Sequence, residues 1–222
     1  MNIKENVENL RTEIEKLKLE NNIKKDIIIC AATKYVGVNE MREIISCGIN
    51  NLGENRVDSF LQKYEQLKDE SIVWHFIGSL QTNKVKKIIN KIDYLHSLDR
   101  ESLAREIEKY RENPLDCFVE VNCSGESSKH GLSESEVIPF INSLKNYKSI
   151  RIIGLMTMAE NTQDFESIKG NFRRLKMIQE EIISINLDYA PCSYLSMGMS
   201  NDFKEAIIEG ATLVRIGSRL FK

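Results

Sequence analysis

Several residues of this 222-residue chain stand where their types and spacing could do chemistry. Lys34 closes the apolar run Ile27-Ile28-Ile29-Cys30-Ala31-Ala32-Thr33. An amine at the end of a buried strand is desolvated, which favours the neutral nucleophile that condenses with a carbonyl to give a Schiff base; the alternative is an ammonium in solvent that only marks the strand end. The segment Ser196-Met197-Gly198-Met199-Ser200-Asn201-Asp202 sets small hydroxylated residues and a glycine before a helix, a composition that suits an anion such as phosphate. Val214-Arg215-Ile216-Gly217-Ser218 offers a second such corner, with a glycine for close backbone approach and a hydroxyl beside it. Either corner alone also reads as an ordinary turn. Arg215 lies within an apolar run and needs an acceptor, which is either a ligand or a carboxylate of the chain. Trp74 and His75 alternate, so one faces inward; His75 is then a site residue or a satisfied core histidine. His96 and His130 make no better case for a metal, and none is expected. The five cysteines are odd in number and form no C-x-x-C pair, so free buried thiols without catalytic duty are expected. Lys84, Lys86, Lys87 and Lys91 read as a solvated helix face.

Those residues must be carried by a regular framework. Eight apolar, strand-like runs recur: Ile27–Thr33, Ile49–Leu52, Ile72–Ile77, Ile92–Leu95, Cys117–Val121, Ile150–Met156, Ser193–Leu195 and Thr212–Ile216. Helical periodicity lies between them, clearest over Phe165, Ile168, Phe172, Leu175, Ile178, Ile182 and Ile185. Ser133-Glu134-Ser135-Glu136 and Asp202-Phe203-Lys204-Glu205 both fit a capping box. Strands alternating with helices imply parallel pairing with right-handed crossovers, and the length suits a (β/α)8 barrel of the TIM type. An open doubly wound sheet is the alternative, but Gly-x-Gly-x-x-Gly does not follow the first run. The expected organisation is one domain over 1–222, with an N-terminal helix over 1–22 and the barrel over 27–221. Since few residues follow the eighth run, that helix is expected to cover the last part of the ring. Its stripe Ile3, Val7, Leu10, Ile14 and Leu17 would otherwise suit a coiled-coil dimer; a monomer is expected. A formal net charge of -2 gives no field favouring nucleic acid. Neither a secretory signal nor a membrane-spanning run is visible, so a cytoplasmic protein is expected. In a parallel barrel the loops after the strands share one face, where active sites sit. Lys34, Asn55, His75, Met156, Ser196 and Arg215 pass that filter.

The strings Ala32-Thr33-Lys34, Gly53-Glu54-Asn55, Trp74-His75-Phe76-Ile77-Gly78, Gly154-Leu155-Met156, Leu195-Ser196-Met197-Gly198-Met199-Ser200 and Val214-Arg215-Ile216-Gly217, taken in order, resemble one family. It is the pyridoxal phosphate homeostasis protein family, also called YggS/PROSC, whose barrel is similar to the N-terminal domain of alanine racemase. The resemblance implies pyridoxal 5'-phosphate (PLP) held as an aldimine on Lys34, with Ser196 and Ser200 on one phosphate loop and Gly217 and Ser218 on the other. It implies further that Arg215 faces the pyridine nitrogen and that Asn55, His75 and Met156 line the cofactor. Ser218 stands where the family commonly has threonine, and Arg219-Leu220-Phe221-Lys222 departs from the usual ending. A cation at the pyridine nitrogen disfavours its protonation and weakens the ring as an electron sink. Alanine racemase tolerates such an arginine with the help of a second domain, and none is expected here beside the barrel. The expected function is reversible PLP binding in vitamin B6 homeostasis without turnover, with apo PLP-dependent enzymes as recipients. The rival readings are an amino-acid racemase and a Schiff-base aldolase acting on a phosphosugar.

Overall fold

Continuous β-branched runs can be buried on both faces only if both faces are covered. The computed structural model, which describes residues 2–126, 130–160 and 162–222, meets that condition with eight parallel strands closed in sequence order. They are β1 (Ile28–Ala32), β2 (Asn51–Glu54), β3 (Val73–Phe76), β4 (Tyr94–Leu98), β5 (Leu115–Glu120), β6 (Ile150–Met156), β7 (Tyr194–Ser196) and β8 (Leu213–Ile216). Closure is made by β1 and β8, in register from Ile28 opposite Leu213 to Ala31 opposite Ile216. Around the barrel run α1 (Ile3–Glu20), α2 (Val38–Ser46), α3 (Val57–Gln66), α4 (Val85–Ile88), α5 (Glu101–Tyr110), α6 (Glu134–Ser143), α7 (Phe165–Ile185), α8 (Phe203–Ile208) and α9 (Ser218–Phe221).

The α1 stripe does what its position in the chain suggests. Ile3, Val7, Leu10 and Ile14 are buried, and the helix packs on α2, α8 and α9, filling the part of the ring that four-residue α9 cannot cover. The Asn6 amide donates to the carbonyls of Leu220 and Lys222, at 3.1 Å each, while Glu13 pairs with Lys204 and Arg219. The stripe that a coiled coil would use is thus spent within the chain. α6 begins with the expected box between Ser133 and Glu136. The box expected at Asp202 does not form: its carboxylate takes the Met199 amide instead of capping α8, because the preceding turn presents a closer donor.

The outward faces of the strands pack under the helices in one large apolar cluster. Inside the barrel a smaller cluster, Cys30, Phe118, Ile153, Met156 and Leu213, fills part of the lumen. Polar side chains occupy the rest, and they lead to the mouth formed by the loops after the strands.

Candidate functional site

On β3, Trp74 packs outward against Phe60 of α3 with ring centroids 5.2 Å apart, so alternation turns His75 into the lumen. There it stacks on Tyr94 of β4 at 4.6 Å. Its Nε2 meets the Asn51 side-chain oxygen and its Nδ1 meets Nε2 of His96, both at 2.9 Å. His96, stacked on Phe118, reaches the Ser196 hydroxyl through Nδ1 at 2.9 Å. Arg215 then donates to that hydroxyl at 2.6 Å, to the Ser196 carbonyl at 2.8 Å and to the Thr157 carbonyl at 2.9 Å.

The direction of this chain follows from its ends. The Asn51 oxygen can only accept, so His75 donates from Nε2 and must accept at Nδ1. His96 therefore donates from Nε2 and accepts at Nδ1 from Ser196, whose oxygen accepts from Arg215. Both imidazoles are neutral in this arrangement. Burial depresses His75 to about 3, and burial together with the neighbouring His75 and Arg215 holds His96 well below its ordinary range.

Three of the expected cofactor-lining residues lie deeper than the loops. His75 is shut beneath the mouth with both nitrogens engaged, so it forms part of the floor. The Ser196 hydroxyl is buried between His96 and Arg215 and is not free on the loop. Met156 is likewise buried in the interior cluster. His96, set aside in the sequence as a metal ligand, is the central link of the relay. Its signal lay in the alternation of β4, where Tyr94 and His96 share the inward parity.

Lys34 also differs from expectation. β1 ends at Ala32, and the Val36 amide donates to the Thr33 carbonyl at 3.1 Å. That turn lifts Lys34 and Tyr35 out of the strand, so Lys34 is exposed at the mouth with Nζ 4.8 Å from the centre of the Tyr35 ring. It is a reachable amine and not a desolvated one. The turn is anchored from below. Lys63 of α3 donates to the Thr33 carbonyl at 2.7 Å and to the Glu54 carboxylate at 2.6 Å; Glu54, fully buried, also accepts from the Thr33 hydroxyl at 2.6 Å.

The other expected residues gather on the same face. Asn55 follows β2, and Gly78, after β3, lies so near that a Cβ there would come within 2.3 Å of the Asn55 carbonyl oxygen. After β7, the Ser200 hydroxyl accepts from the amides of Gly217 at 3.2 Å and Arg219 at 3.5 Å, joining the two corners. Gly198, at φ 91°, makes the preceding turn, where a Cβ would press within 2.6 Å of Ala206. Ser218 is exposed at the first position of α9.

Arg215 is buried and its acceptors are all neutral oxygens. Burial works against its charge, and Cys30, Asp202 and Glu120 pull the other way. A cation held this way suits an anionic or electron-rich ligand. An exposed amine, that guanidinium, and a corner of amides and hydroxyls form a donor set that fits PLP. The buried thiols serve no such purpose: burial pushes Cys30 and Cys192 up to about 12 and Cys123 to about 11. Among the described residues, no group of three His, Cys, Asp or Glu could hold a metal ion, and no helix is long and apolar enough to cross a membrane.

Residues 2–222 match the family model described as alanine racemase, N-terminal domain. A protein of Aquifex aeolicus (strain VF5) named pyridoxal phosphate homeostasis protein is 42% identical over 197 residues, covering 87% of this chain and 85% of its own. PipY of Synechococcus elongatus PCC7942, solved with PLP bound, superposes with a TM-score of 0.87 at 25% identity, over 99% of this chain and 100% of its own. Alanine racemase of Clostridium difficile 630 shares the fold with a TM-score of 0.72 at 17% identity, over 96% of this chain and 56% of the racemase.

Proposed function

The chain belongs to the pyridoxal phosphate homeostasis protein family, and from that premise we propose that it binds PLP reversibly as a Schiff base on Lys34, serving vitamin B6 homeostasis without turnover of its own. When bound, PLP supplies an aldehyde that exchanges between amines and a ring able to accept electrons. The observation that carries the reading is the pairing of an exposed amine at the mouth with a buried guanidinium beneath it. Lys34 is open to an incoming aldehyde and to the water or amine that displaces it, which favours exchange over enclosure. Ser200, whose hydroxyl ties the loop after β7 to the amides of Gly217 and Arg219 after β8, lies where barrels of this kind hold phosphate. Asn55 borders the same opening. Arg215, assigned to the pyridine nitrogen by the family resemblance, disfavours protonation there and so weakens the electron sink that carbanion chemistry requires. Apo forms of PLP-dependent enzymes are the recipients this role calls for.

Amino-acid racemisation is the second reading, favoured by the match to the alanine racemase barrel. It requires conversion of a labelled L-amino acid above the rate with free PLP.

The test is an absorption spectrum of the wild type and of Lys34→Ala with added PLP, followed by borohydride reduction and peptide mapping. A visible band lost in the variant, with the label on Lys34, is the expected result. A wild type that takes no label on Lys34 overturns the assignment and leaves a phosphate-binding barrel that uses its amine otherwise, such as an aldolase trapped only with added sugar.

A further inference from the structure

β5 delivers an inward side chain that none of the groups above employs. Phe118 lies in the lumen stacked on His96, so Glu120, two residues on and last in the strand, points inward one step nearer the mouth. It is 3% exposed. The charges that bear on it are Asp99 and Arg100, in the loop after the adjacent strand β4, and Arg215 on β8. Its register neighbour on β6, Met156, brings no charge. Both guanidinium groups have other acceptors. Arg100 is held by Asp99 at 2.5 Å and by the Leu80 carbonyl at 2.6 Å, and Arg215 by Ser196 and Thr157. Burial first, then the Asp99 charge, pushes Glu120 up to about 7 against the pull of Arg215 and Arg100. Acid and carboxylate forms therefore coexist near neutral pH.

Resting on the reading of Lys34 and Arg215 as a PLP site, we propose that Glu120 is the proton-linked determinant of cofactor retention: its acid form accommodates the anionic cofactor beside Arg215, and its carboxylate form drives the cofactor out. PLP brings the negative charges of its phosphate and phenolate to a mouth beneath which Glu120 and Arg215 are buried, and charges reaching into that ground are poorly screened. A carboxylate there adds repulsion and competes for the Arg215 field, whereas a carboxylic acid adds neither and can donate a hydrogen bond. Release consumes one water across the C=N bond and returns the Lys34 amine and the free aldehyde.

The experiment measures PLP dissociation constants by absorbance for the wild type and Glu120→Gln between about pH 6 and pH 8.5, with borohydride labelling of Lys34 at each pH. Comparison with the variant cancels the titration of PLP and of the amine. The two proteins should agree at the acid end, and the ratio of wild-type to variant Kd should rise about tenfold toward the alkaline end. A constant ratio overturns the proposal while leaving the Lys34 assignment standing; an unlabelled wild type at every pH takes both down. Should Glu120→Gln not fold, an infrared difference spectrum of the wild type at about pH 8 decides, because retention then requires a protonated-carboxyl band to appear on adding PLP. Its absence counts against the proposal.

Discussion

Ser196 is the residue on which the floor of the site turns. Its hydroxyl accepts from Arg215 and donates to His96, so it is the one link between the guanidinium and the two imidazoles. Ser196→Ala should leave a buried imidazole nitrogen and a buried guanidinium N–H without partners, at a cost of about 1–3 kcal/mol in urea unfolding. A loss within experimental error would show that the relay contributes no net stability. The sequence made some of these roles visible and hid others. Arg215 in an apolar strand announces a need for acceptors, and the structure supplies two carbonyls and a hydroxyl in place of a carboxylate. Ser196 read as a loop hydroxyl because a three-residue strand leaves little periodicity to show which way it faces. Glu120 lies within the expected apolar run Cys117–Val121, where the run hides it, although one acid among buried residues is itself a signal.

At the scale of elements, the strand ends are tied to one another by a buried ion pair. Lys63 on α3 reaches Glu54 at the end of β2 and the Thr33 carbonyl beyond β1, so one ammonium fixes the turn bearing Lys34 and the strand that leads to Asn55. Lys63→Met removes the cation and leaves Glu54 charged and buried, which should cost about 3–5 kcal/mol. Adding Glu54→Gln should recover most of that loss, since breaking one partner costs more than replacing both. Equal stability of the single and double variants in denaturant would mean that the pair is not coupled. The barrel itself was legible because its evidence is distributed: eight runs and a helix stripe each needed to be only roughly placed. Boundaries were less so. β4 begins at Tyr94, two residues after its apolar run begins, because Asp93 turns away to accept the Trp74 amide. Lys34 came out exposed for a similar reason. An apolar run shows that a strand exists, but a hydrogen bond between Thr33 and Val36 decides where it stops.

Across the whole molecule, the lumen holds groups whose burial pulls stability in opposite directions with pH. His75 and His96 are neutral when folded, His75 depressed to about 3 and His96 well below 6.5. In the unfolded chain each takes up a proton as pH falls through 6.5, so the unfolded state binds more protons and stability is lost on acidification. Glu120 does the reverse. Raised from 4.5 to about 7, it holds a proton in the folded state over a window where the unfolded chain has released it. Its contribution is fully present below 4.5 and is lost as pH rises through about 7. Near pH 5.5 the two histidines favour unfolding by about two protons and Glu120 opposes by about one, a net slope of about 1.3 kcal/mol per pH unit, stability falling as the solution is made more acid. Glu120→Gln removes the opposing proton, so its acid loss should steepen toward about 2.5 kcal/mol per pH unit around the same pH. Unfolding free energies from urea titrations at several pH values between about 5 and 6 read both slopes directly. Parallel slopes for wild type and variant would mean that Glu120 does not carry its proton in the folded barrel near pH 5.5.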